Sequence, residues 1–66
     1  MTYYKITCLF QADWDNLFPA IFGTNAQHSY SANGDLGPNV AVYGFDTPQT
    51  PVDLGPLVKV EVIDTV

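Results

Sequence analysis

Two stretches of this chain carry the same text. Asp35-Leu36-Gly37-Pro38-Asn39-Val40-Ala41-Val42 and Asp53-Leu54-Gly55-Pro56-Leu57-Val58-Lys59-Val60 both read D-L-G-P-x-V-x-V. The agreement extends to Asp46-Thr47 and Asp64-Thr65, so 8 of 13 positions match without a gap at an offset of 18. One turn-plus-strand unit is therefore written twice. In each copy Asp and Gly form the turn, and Pro stands at the first residue of the strand, where its missing N–H does no harm. Val40 and Val42 in one copy, and Val58, Val60 and Val62 in the other, are expected to face a shared interior. Two copies are too few for a solenoid, which needs about three or more units to bury a core. The repeat instead predicts two equivalent strands in one sheet or small barrel.

The rest of the chain fits around those strands. Over residues 2 to 10, Tyr4, Ile6, Cys8 and Phe10 alternate with Tyr3, Lys5, Thr7 and Leu9, the period of a strand with one buried face. Trp14, Leu17, Phe18, Ile21 and Phe22 then fall at i, i+3, i+4, i+7 and i+8, the stripe of an amphipathic helix. Asp13 or Asp15 can cap its start and Gly23 suits its end. Pro19 opposes it, because an interior proline deletes a backbone donor. The expectation is two or three turns, with a start at Asp15 or a break before Pro19 relieving the conflict. Residues 24–32 alternate weakly, as in an edge strand, and Asn33-Gly34-Asp35 signals a turn. In the strand over 39–45 Ala41, Tyr43 and Phe45 are apolar as well as the valines, so both of its faces are expected to be covered. Gly44 there marks a bulge or a close backbone approach. Residues 47–56 hold Pro48, Pro51 and Pro56 and read as a stiff extended connection. The reading is α+β and mainly β: a single domain over 1–66, a small antiparallel sheet or partly open barrel of about four strands, and one short helix after strand 1. If the terminal strands are neighbours, Lys5 and Glu61 face one another across them.

A chain of 66 residues buries only about 60% of its unfolded surface, so it commonly needs help to stay folded. Cys8 is the only cysteine, which removes an internal disulfide, and no Cys/His cluster can hold zinc. The chain is nevertheless 47% hydrophobic with four Tyr, four Phe and one Trp. Self-association into a homo-oligomer is the expected helper.

Charge excludes several functions. Seven acids face two lysines and no arginine, a net charge of −5. Nucleic-acid binding needs several cations to displace counterions from phosphates, and attraction to an anionic membrane needs them equally. Mimicry of DNA is disfavoured because six of the acids are Asp beside turn residues, where local structure explains them. No apolar run reaches the ~18 residues of a membrane span. The start lacks a basic segment followed by an apolar core, and a lone thiol suits the cytoplasm, the expected location, or a virion if a phage or mobile element encodes the chain.

No catalytic constellation stands out, and no enzyme activity or cofactor is expected. Cys8 lies between Ile6 and Phe10 on an apolar face, where burial suppresses its thiolate, and His28 is the only histidine. Ser29 and Ser31 lack a nucleophile elbow. Asp13-x-Asp15-Asn16 begins like a calcium loop but has Leu17 at the next ligand position. Convergence of Asp35 with Asp53, or of Asp46 with Asp64, offers carboxylates to Ca²⁺; turn-local hydrogen bonds explain the same residues. The expected function is a non-enzymatic protein-interaction module, an inhibitor or adaptor that docks an acidic, aromatic surface on a basic partner. Tyr3, Trp14 and Tyr43 are the expected contact residues, with core packing the competing role, chiefly for Trp14. The rivals are a self-assembling or particle-decorating protein and a Ca²⁺-stabilised domain.

Overall fold

The computed structural model describes residues 1–33 and 37–63. Its elements are strand β1 (Thr2–Cys8), helix α1 (Trp14–Phe22), and strands β2 (Tyr30–Asn33), β3 (Val40–Phe45) and β4 (Val58–Ile63). The four strands form one open antiparallel sheet in the order β2-β3-β1-β4. This is the α+β, mainly β architecture expected from the repeat and the periodicities.

β1 antiparallels both β3 and β4, so the two repeat-derived strands run parallel to each other with β1 between them. β1, α1 and β2 form a split β-α-β unit, with β3 inserted between its strands. The second half repeats that connectivity from β3 to β4, but residues 46–57 take the place of a crossover helix. This connection is anchored on the helix side of the sheet. Val52 donates its N–H to the Ile21 carbonyl at 2.8 Å. The Tyr4 hydroxyl accepts from the Gln49 N–H at 2.7 Å and donates to the Gln49 carbonyl at 3.2 Å. A single buried phenol thus satisfies both backbone groups of one residue in a segment whose prolines forbid a helix.

From their glycines onward the two repeat corners are alike. Gly37 and Gly55 have positive φ (145° and 99°), and each carbonyl accepts the N–H three residues on, from Val40 and Val58, at 3.3 Å in both cases. The two corners also hold β1 alike: the Asn39 carbonyl accepts from Cys8 (3.0 Å) and the Leu57 carbonyl from Leu9 (2.9 Å). Those donors are adjacent residues, so the two copies meet β1 one residue out of step. Lys5 opposes Val42 on one side, whereas Ile6 opposes Val60 on the other. Opposed residues share a face and successive residues alternate. Val42 and Val60, equivalent in the repeat, therefore lie on opposite faces of the sheet, which corrects the expectation of a common valine-lined interior.

The core lies on the helix face, where Tyr4, Ile6, Cys8, Ala41, Tyr43, Phe45 and Val58 meet Ile21, with Trp14, Leu17, Phe18 and Phe22 packed around them. Helix packing explains why Pro19 is tolerated. α1 runs unbroken from Trp14, with Asp13 rather than Asp15 at its N-cap, because its apolar stripe is fixed against β3 and the carbonyl that Pro19 leaves unpaired belongs to exposed Asp15. The Asp13 carboxylate makes no cap bond to the backbone; it accepts from the Asn16 side-chain amide at 2.6 Å.

Both faces of β3 are covered, as its composition requires, with Val40 half-buried and the next five residues buried. Val42 is 1% exposed on the face without a helix, flanked by Lys5 and Ala32. β1 stops at Cys8, earlier than its alternation suggests, and Leu9 and Phe10 are exposed. β2 forms only at the end of the weakly alternating stretch. The turn expected at Asn33-Gly34-Asp35 falls mostly outside the described residues. Lys5 does oppose Glu61 across β1 and β4. The ion pair among the described residues, however, is Lys59 with Glu61, 3.2 Å apart on one strand. Among those residues no helix is long and apolar enough to cross a membrane.

Candidate functional site

The helical stripe that builds the core also builds the most distinctive surface feature. Phe18 reaches the middle of the sheet, with its ring centroid 4.8 Å from Tyr43 and 5.2 Å from His28. One turn earlier, Trp14 meets the edge of Tyr43 at 6.4 Å, and His28 lies 5.4 Å from the same ring. These rings surround an open notch of about 210 Å3 whose rim includes Asp15 and, from β2, Ser31 and Asn33. Among the described residues Asp15 is the only acid lining it, and no lysine does.

Tyr43 forms the floor. It is 3% exposed. Burial raises its phenol above the ordinary value, the neighbouring Asn33 side chain works against that shift, and the Asp15 charge adds to it. Burial and the Asp15 charge both disfavour the phenolate, so the floor stays neutral, and among the described residues the Asp15 carboxylate supplies the notch's charge.

The structure divides the three residues expected to meet a partner. Trp14 and Tyr43 share the notch, with Trp14 half-buried at its side. Tyr43, expected as a surface contact, belongs to the core instead: it follows Val42 in a strand buried on both faces. Core packing thus claims the tyrosine fully, and the tryptophan in part at the edge of the cluster. Tyr3 lies on the opposite face, half-buried, its ring edge-on to Tyr30 at 5.8 Å and 88°. The sequence reading missed Asp15, Phe18 and His28 as notch residues. The signal available for Asp15 was its place beside Trp14 at the start of the stripe.

The other candidate groups are dispersed. Cys8 is buried, and desolvation raises its thiol above the usual value. His28 packs on Tyr43, which opposes Tyr4; Cys8 is four residues further along β1, about 13 Å at the rise of a strand. They form no nucleophile–base pair. The Asp53 carboxylate accepts from the Gly55 N–H at 2.9 Å, a bond within its own turn. Asp35 and Asp64 lie outside the described residues, and with them both carboxylate convergences. Among the described residues no three His, Cys, Asp or Glu side chains come together.

An aromatic notch with one carboxylate and a neutral floor suits a cationic side chain. Ring faces attract a cation by about 0.5–2 kcal/mol each according to exposure, and the carboxylate adds a charge-assisted hydrogen bond. The chain matches no protein-family model, no curated protein and no solved structure.

Proposed function

We propose that this chain is a non-enzymatic interaction module that docks on a basic partner protein, as an inhibitor or adaptor, with a lysine or arginine side chain of the partner seated in the Trp14–Tyr43 notch. The observation that carries the reading is the gathering of Trp14, Phe18, His28 and Tyr43 around a site whose one acid among the described residues is Asp15. The net charge of −5 supports it by steering a basic surface toward the chain. A reducing compartment such as the cytoplasm suits the unpaired Cys8.

Trp14 is the only tryptophan, so its fluorescence reports the notch directly. Titration with an arginine-rich peptide is expected to change that emission saturably, and a glutamate-rich peptide of equal length is expected to leave it unchanged. Asp15→Asn is expected to weaken the response about 10-fold, in line with the loss of a hydrogen bond to a charged group. An emission indifferent to millimolar basic peptide overturns the reading.

A further inference from the structure

β4 bounds the sheet, paired with β1 along one side only. The Leu9–Leu57 hydrogen bond sets the phase of that ladder. Hydrogen-bonded positions alternate in an antiparallel pair, so residues 57, 59, 61 and 63 turn their backbone groups toward β1. Val58, Val60 and Val62 turn theirs outward. The Val58 N–H closes the corner on Gly55. The N–H groups of Val60 and Val62 and the carbonyls of all three valines have no hydrogen-bond partner among the described residues.

We infer that two copies of this chain join through β4, antiparallel about a two-fold axis at Val60, so that one sheet runs through both molecules. In this alignment Val60 faces Val60 of the second copy, and the two exchange a pair of backbone hydrogen bonds. Val62 donates its N–H to Val58 of the second copy, and the reverse contact repeats it. Lys59 opposes Glu61 of the second copy, again twice. The charges select this register: sliding the copies one step in either direction sets Lys59 against Lys59 or Glu61 against Glu61, and like charges directly opposed destabilise a sheet. A lone lysine on an edge strand blocks such pairing. Glu61, two residues further on, makes this edge complementary to itself. The two side chains already lie together on one face, 3.2 Å apart and open to solvent.

The opposite face of β4 needs cover. With a proline-rich segment where a crossover helix would lie, Val62 is 68% exposed and Val52 is 53% exposed. A groove of about 450 Å3 runs between β4 and residues 51–53. Pairing sets Val62 of the second copy beside Val58 at this groove. It also supplies the association that so short a chain is expected to need. The inference does not rest on the proposed basic partner, because the notch is bounded by β2 at the other end of the sheet.

Native mass spectrometry and light scattering over 1–500 μM provide the test. The natural chain is expected to be a dimer at the upper end of that range. K59E and E61K are each expected to dimerise at least 10-fold more weakly, while retaining the Trp14 emission of the folded chain. An equimolar mixture of the two is expected to restore the dimer as a heterodimer, because each supplies the charges that the other lacks. Amide exchange at Val60 and Val62 in the natural chain is expected to slow as concentration rises. A natural chain that stays monomeric throughout overturns the inference, as do folded single variants that dimerise like it or a mixture that forms no heterodimer. Loss of basic-peptide binding with dimerisation intact counts against the notch alone.

Discussion

The ring of Tyr3 lies directly over Gly44. A β-carbon at position 44 would stand 2.8 Å from Cε1 and 2.9 Å from Cδ1 of that ring, and 2.8 Å from the Met1 sulfur. Tyr3 and Tyr30 both oppose Gly44, one from each side, and their rings meet above it. The missing side chain of β3 is what lets two aromatic residues close over the face that no helix covers.

Gly44→Ala is therefore expected to destabilise the chain by about 1–3 kcal/mol, the usual effect of forcing extra volume into a packed site. The thioether can swing aside, but the Tyr3 ring is held by Tyr30. Urea unfolding reads the change, and Tyr3→Ala combined with Gly44→Ala is expected to recover part of it. A Gly44→Ala chain as stable as the natural one contradicts the packing described.

Tyr4→Phe keeps the ring in the core and removes the hydroxyl that binds Gln49. Both backbone groups of Gln49 then lose their partner, and a loss of about 1–3 kcal/mol is expected. Because the lost bonds hold residues 46–57, amide exchange should quicken there more than in β3. Uniform quickening speaks against this anchoring role.

Alkaline pH is expected to destabilise the fold. Burial raises the Cys8 thiol and the Tyr43 phenol above their ordinary values of 9.0 and 10.0. The folded chain therefore keeps protons that the unfolded chain releases, and stability falls as pH rises past those values. Urea midpoints should decline as pH rises above about 8. Cys8→Ala and Tyr43→Phe should each make the decline shallower, whatever they cost at neutral pH, and Asp15→Asn should lessen the share due to Tyr43. A midpoint constant to pH 11 rules this out.

At the second corner, geometry predicts an effect with no steric clash. A β-carbon on Gly55 would meet nothing within 4 Å, yet its φ of 99° suits glycine alone. Gly55→Ala is expected to cost about 1–2 kcal/mol through the backbone. Asp53→Ala, which removes the bond to the Gly55 N–H, should cost about 0.5–1.5 kcal/mol. Together they should be less than additive, since both loosen one turn.

The elements and the corners were legible because they are local. Turn chemistry at Gly37 and Gly55, alternation in β1 and the stripe from Trp14 to Phe22 each declare themselves within a few residues. Pairing register is not local. Val42 and Val60 close the same D-L-G-P-x-V-x-V pattern, and only the one-residue offset at Cys8 and Leu9 sends them to opposite faces. The site was half legible for the same reason. Trp14 could be singled out as a large aromatic at the start of a helix. Its convergence with His28 depends on a strand order that brings β2 beside β3. Tyr43 looked available from its type alone; burial of both faces of β3 made it the floor.

The central position of β1 has a kinetic consequence. Tyr4 finds its cross-strand neighbours at Tyr43 and Val62, so neither ladder of the middle strand can form until distant parts of the chain have come together. Closing such long loops comes before any reward from pairing, and small domains of this kind fold in milliseconds to seconds rather than microseconds. Until then the face of β1 that carries Tyr4, Ile6 and Cys8 is unshielded. Apolar surface left open during that interval is where misassociation with other chains begins.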